Sequence, residues 1–159
     1  MEKDWLQILS GQNQIQKILK LNEQTAAFGL SLTEQEANML VEQRNDNLKQ
    51  FGRVEFGEGI LPKLIFTFCD SDYIDQNNYL DTIGRLQEIF YFYKNESMDE
   101  LSDDELLSYM KEAFDGECEG SLEYLEETVL EKFARDIRKK GHFFFGDYYK
   151  KKERETEDE

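Results

Sequence analysis

A single proline, Pro62, stands in a chain of 159 residues. Proline lacks a backbone N–H and clashes with the preceding helical turn, so helix interiors exclude it. Its scarcity suits a helical protein, and the apolar residues agree. They recur three and four apart in six segments, the period of a helix with one buried face.

The first segment runs from about Asn13 to Phe28, with Ile15, Ile18 and Leu19 as its stripe and Gly29 as a stop. A short helical turn around Trp5, Ile8 and Leu9 is expected before it. The second segment opens on Thr33 with Glu36 three residues later, a capping-box pattern. Ala37, Leu40, Val41, Leu48 and Phe51 then share a face. The third, Ile60 to Phe68, is nearly all apolar, with Pro62 in its first turn, where a missing N–H costs little. Leu-Ile-Phe-Thr-Phe inside it also has strand propensity, but the spacing of Leu61, Leu64, Ile65 and Phe68 favours helix, with Phe66 pointing elsewhere. The fourth runs from about Asn77 to Tyr93 and buries Leu80, Ile83, Leu86, Phe90 and Tyr93. Gly84 within it leaves room for a close neighbour. The fifth begins at Ser102 with Glu105, a second capping box, followed by Leu106, Leu107, Met110 and Phe114. The sixth begins near Ser121, carries Leu122, Leu125, Val129, Phe133 and Ile137, and ends in Arg138, Lys139 and Lys140.

These segments predict an all-α fold, an irregular bundle of five to six short helices. No heptad persists long enough for a coiled coil. Residues 1–149 read as one helical domain and 150–159 as a charged tail, a frayed helix end or a disordered one. Phe143, Phe144 and Phe145, with Tyr148 and Tyr149, lie beyond the last helix. Such a run is expected to fold back on the bundle, with room for one minor two-strand pairing against Arg53 to Phe56. Apolar residues at 39 %, with 12 Phe and 8 Tyr, supply enough burial to argue against global disorder.

Charge limits the partners. The net charge is −16, and such a surface repels nucleic acid. From Glu96 to Glu131 there are fourteen acids against one base, Lys111. Lys132 to Lys152 holds eight bases and two acids. The acidic stretch reads either as a solvated face or as a docking face for a basic protein, with Glu119, Glu123 and Glu127 as its contact residues. No apolar run is long enough to span a bilayer, and no secretory signal is visible, so a cytoplasmic protein without membrane contact is expected. Two cysteines, Cys69 and Cys118, read as free buried thiols.

One motif resembles a metal site. From Asp115 to Glu126 the chain follows an EF-hand spacing, with Asp115, Glu117, Glu119, Glu123 and Glu126 at oxygen-ligand positions and Gly120 at the sharp turn. Glu at the third and fifth positions overfills a loop built for Asp, and no second loop accompanies it. The competing reading is a helix–helix turn in which Gly116 and Gly120 supply positive φ angles and Ser121 is the N-cap. Calcium binding no tighter than millimolar is expected. Cys69, Cys118 and the lone His142 show no ligand spacing, and a Cys118–His142 catalytic pair lacks a motif around it. Phosphate-loop, dinucleotide and nucleophile-elbow motifs are absent, so neither a cofactor nor catalysis is expected.

Three phrases carry a family resemblance: Phe28-Gly29-Leu30-Ser31-Leu32-Thr33, Phe68-Cys69-Asp70-Ser71, and Phe114-Asp115-Gly116 with Cys118 and Gly120-Ser121-Leu122-Glu123. Over roughly residues 25–140 the chain resembles a family of small uncharacterised acidic proteins from Gram-positive, largely clostridial, bacteria. The resemblance implies a bacterial cytoplasmic protein and assigns no site. It also makes the glycine-cysteine-glycine-serine phrase look like a structural turn. The function expected is a non-catalytic interaction or adaptor domain with an acidic helical surface. A calcium-responsive helix–loop–helix protein is the alternative.

Overall fold

A computed structural model describes residues 2–55 and 59–140, and all regular structure among them is helical. Helix α1 spans Glu2–Thr25 and tightens into a 3-10 turn at Ala26–Phe28. Then come α2 (Glu34–Gln50), α3 (Leu61–Phe68), α4 (Tyr79–Glu96) and α5 (Asp103–Asp115). The last helix, α6, runs through three stretches: Leu122–Tyr124, a π-helical stretch Leu125–Leu130, and Glu131–Lys140. Phe143, Phe144, Phe145, Phe56, His142 and the 150–159 tail lie outside the described residues, and the expected strand pairing with them. Residues 53–55 themselves are not strand.

Local signals set the helix ends. The Thr33 side chain accepts from the Glu36 N–H at 3.1 Å, and the Glu36 carboxylate accepts from the Thr33 N–H at 3.0 Å. Ser102 and Glu105 repeat this exchange at 3.1 Å each way. Each cap contributes about 1 kcal/mol. Gly29 takes a φ of 75°, the left-handed geometry that terminates the 3-10 turn after α1. In one respect α1 differs from expectation. It is continuous through Gly11 rather than a short turn followed by a helix. A mid-helix glycine costs only about 1 kcal/mol, which does not break a helix of this length.

Helix α4 is the hub. It packs against α2, α3, α5 and α6, and 10 of its 18 residues are buried. At Gly84 the end of the flexible Gln43 side chain of α2 comes close, 2.8 Å from where a Cβ would stand. In α3 the apolar stretch is helix, not strand, with the Leu64 N–H bonded to the Ile60 carbonyl at 2.7 Å. Leu61, Leu64, Ile65 and Phe68 are buried and Phe66 is exposed.

In α6 the residues Leu125, Val129, Leu130, Phe133, Ala134 and Ile137 face the core, and the helix widens into π turns over Leu125–Leu130. The Tyr93 hydroxyl donates to the Glu126 carbonyl at 2.9 Å, giving the widened segment a partner from α4.

Candidate functional site

The α5–α6 junction is a tight turn made by backbone bonds. The Cys118 N–H reaches the Ala113 carbonyl at 3.0 Å, and the Gly120 N–H reaches that of Phe114 at 2.8 Å. Glu119 and Gly120 both take positive φ, 48° and 81°, whereas Gly116, expected to supply a second left-handed glycine, has φ −93° and Glu119 takes that role. A Cβ on Gly120 would lie 2.5 Å from the Tyr73 side chain, so the turn and the α3–α4 connection fit only with glycine there. Ser121 caps α6 by accepting from the Tyr124 N–H at 3.2 Å.

The three phrases noted in the sequence meet at the α3–α4 connection. Ser71 donates to Asp115 Oδ1 at 2.6 Å. Lys111 bridges Asp70, at 2.9 Å, and Asp115. The Phe68 and Phe114 rings pack edge to face at 5.6 Å. Gln76 brackets Ser31, accepting from its N–H at 2.8 Å and donating to its carbonyl at 2.9 Å. Burial works against the Lys111 ammonium, but the bonds to Asp115 and Asp70 outweigh it and raise its pKa.

The EF-hand-like positions therefore part company. Asp115 is held by Ser71 and Lys111. Glu126 pairs with Arg85 at 3.1 Å. Glu117, Glu119 and Glu123 are exposed, as is Glu127. Among the described residues, no three His, Cys, Asp or Glu side chains gather as a metal-ligand group. Glu117, Glu119, Glu123 and Glu127 have no ion-pair partner among the described residues, and Tyr124, at the start of α6, is 42 % exposed. Both thiols are free and buried. Burial, then the charge of Glu117, pushes Cys118 up to about 11. Burial, then Asp70, raises Cys69. Both are neutral thiols at neutral pH, not nucleophilic thiolates.

A second arrangement has no local motif in the sequence. Glu55, in the α2–α3 connection, lies partly buried beside the buried Arg44 of α2, its side chain 10 % exposed. Its Oε1 accepts from Arg44 Nε at 2.8 Å. Its Oε2 accepts from the Tyr91 hydroxyl at 2.7 Å and the Ile60 N–H at 3.1 Å. A Cβ on Gly59 would lie 2.5 Å from Glu55 Oε1. Burial, then the Glu55 charge, raises the Tyr91 hydroxyl pKa, so it stays a donor. The carboxylate borders a cavity of about 420 Å³ between α3, α4 and the start of α5. One signal for this was present. Arg44 falls between Val41 and Leu48 on the apolar face of α2, and a cation placed there needs a buried counter-charge.

Residues 17–143 match the family described as a family of unknown function (DUF6323), and the chain belongs to that family. No curated protein and no solved structure matches the chain.

Proposed function

We propose that this chain is a non-catalytic protein-interaction or adaptor domain that docks a basic protein segment on its α5–α6 junction. The proposal includes a cytoplasmic setting in a Gram-positive bacterium. The observation that carries it is the contrast among the acids. Asp70 and Asp115 bond Lys111, Asp103 bonds Lys94, Glu126 bonds Arg85, and Glu96 and Glu131 share Arg138. Glu117, Glu119, Glu123 and Glu127 are exposed and carry no such pair among the described residues. Tyr124 stands among them as an exposed aromatic anchor. Unpaired like charges repel each other, and a basic partner relieves that repulsion while gaining a steered approach.

The calcium-responsive alternative has less support, because its first and last ligands, Asp115 and Glu126, already bond Lys111 and Arg85. The test is affinity capture with wild-type protein and the Glu119→Gln, Glu123→Gln, Glu127→Gln triple variant, followed by reconstitution with the purified partner. The proposal expects a basic partner whose affinity falls with salt and falls about ten-fold or more in the variant. Equal affinity for both proteins overturns it.

A further inference from the structure

The outward side of α6 is charged in two halves. Glu123 and Glu127 are exposed near its start, and Lys132, Arg135 and Lys139 are exposed towards its end. None of the five has an ion-pair partner among the described residues. Positions 123, 127, 135 and 139 are separated by multiples of four, so they follow one side of the helix. That side faces away from Leu125, Val129, Phe133 and Ile137, which are buried. The helix therefore shows solvent a face that is acidic at one end and basic at the other.

Such a face is complementary to itself when turned end for end. Laid antiparallel across a two-fold axis at position 131, it sets 123 opposite 139 and 127 opposite 135. With a rise of about 1.5 Å per residue, these pairs stand about 12 and 6 Å from the axis. Each acid meets a base of the other copy, and the symmetry makes every pair twice, as in an isologous interface. The same register sets Tyr124, 42 % exposed, opposite Arg138, whose side chain is 50 % exposed, an aromatic face against a guanidinium. Glu131, on the axis, is already met by Arg138 of its own chain. A parallel pairing would set acid on acid and base on base, which fixes the direction.

We propose that the basic partner of the acidic junction is a second copy of this chain, joined by antiparallel pairing of the two α6 helices. This rests on the junction reading and names its partner. A net charge of −16 on each chain opposes association, so the dimer is weak, with a Kd on the order of 0.1 to 1 mM. Salt screens both that repulsion and the pairs themselves, so charge exchange is the sharper probe. The test is sedimentation equilibrium of the full chain from about 10 µM to about 1 mM, with the mean mass expected to rise above 18.9 kDa. The Glu123→Lys, Glu127→Lys variant carries bases at all four positions, and the Arg135→Glu, Lys139→Glu variant carries acids at all four. Each alone should associate about ten-fold or more weakly than wild type. Their equimolar mixture should regain the wild-type association, because every position then meets its opposite charge, and misfolded variants could not produce that rescue. A wild-type chain that is monomeric at about 1 mM overturns the proposal. So do variants that pair as wild type does, or a mixture that associates no more tightly than its components. A monomeric chain that still binds a foreign basic protein overturns the pairing and leaves the junction reading standing, so the two fail separately.

Discussion

Two interhelical connections in this molecule treat carboxylates in opposite ways. The α2–α3 connection turns one, Glu55, inward to partial burial and meets its oxygens with Arg44, Tyr91 and the Ile60 N–H. The α5–α6 junction turns Glu117 and Glu119 outward, with Glu123 and Glu127 following on α6. A buried carboxylate must be fully partnered, because an unpaired charge in the interior is severely penalised. It therefore fixes position and has little left to offer a ligand. An exposed carboxylate without a partner fixes nothing and remains open to a binding partner. The number of acids in a segment says little about function until each acid has been assigned to one of these two conditions.

The largest expected effect breaks the buried side of the comparison. Glu55→Leu leaves Arg44 without its counter-charge and the Ile60 N–H without an acceptor, and should destabilise the protein by about 3–5 kcal/mol in chemical denaturation. Arg44→Leu combined with Glu55→Leu should cost clearly less than the sum of the single changes, since no unpaired charge remains. Additive losses would mean that the pair is not coupled.

Next in size is the turn itself. Gly120→Ala places a Cβ 2.5 Å from Tyr73 at a φ of 81°. A loss of about 1–3 kcal/mol is expected from the combined clash and backbone strain. An unchanged melting temperature would show that the turn can move away from Tyr73, and that it does not hold the acidic residues in place.

How much of this contrast could be read from the sequence depended on distance along the chain. The caps at Thr33 and Ser102 each lie three residues from their partners, so the helix starts were visible. The Asp115-to-Glu126 turn could be read as a motif, and Gly120 and Ser121 perform the structural roles expected of them. Glu55 was invisible as a site. It is one of 35 acids, and its side-chain partners Arg44 and Tyr91 lie 11 and 36 residues away. Only Arg44 on an apolar stripe hinted at it. The π stretch in α6 had no signal in the sequence, since its buried residues follow the three- and four-residue spacing of an ordinary helix.

An alkaline titration sharpens the account of the interior. Burial pushes Cys118 up to about 11 and Tyr79 up to about 12, from ordinary values of 9.0 and 10.0. Both groups are neutral in the folded protein and lose protons earlier in the unfolded chain. Their contribution to stability is complete below about pH 9 and is lost as pH rises towards 11 to 12. The melting temperature should fall over that window. A flat profile from pH 8 to pH 11 would contradict the burial of these groups.

The smallest effect is expected on the exposed side. Reversing Glu119, Glu123 and Glu127 to Lys should change stability by no more than about 0.5 kcal/mol per site. The change should be stabilising at low salt, where self-repulsion is least screened. A large loss would show that these carboxylates have structural work, and would remove the reason to regard them as free.

The central claim is that the junction, and not the α2–α3 connection, is the surface left open to a protein. Its most direct test is the footprint of the captured partner on the labelled chain, read from backbone amide shifts at sub-stoichiometric to saturating ratios. The account predicts perturbations centred on Glu117, Glu119, Glu123, Tyr124 and Glu127, with Arg44, Glu55 and Tyr91 unmoved. A footprint centred on Glu55 and its neighbours, or one that persists in the Glu119→Gln, Glu123→Gln, Glu127→Gln variant with undiminished affinity, would contradict it.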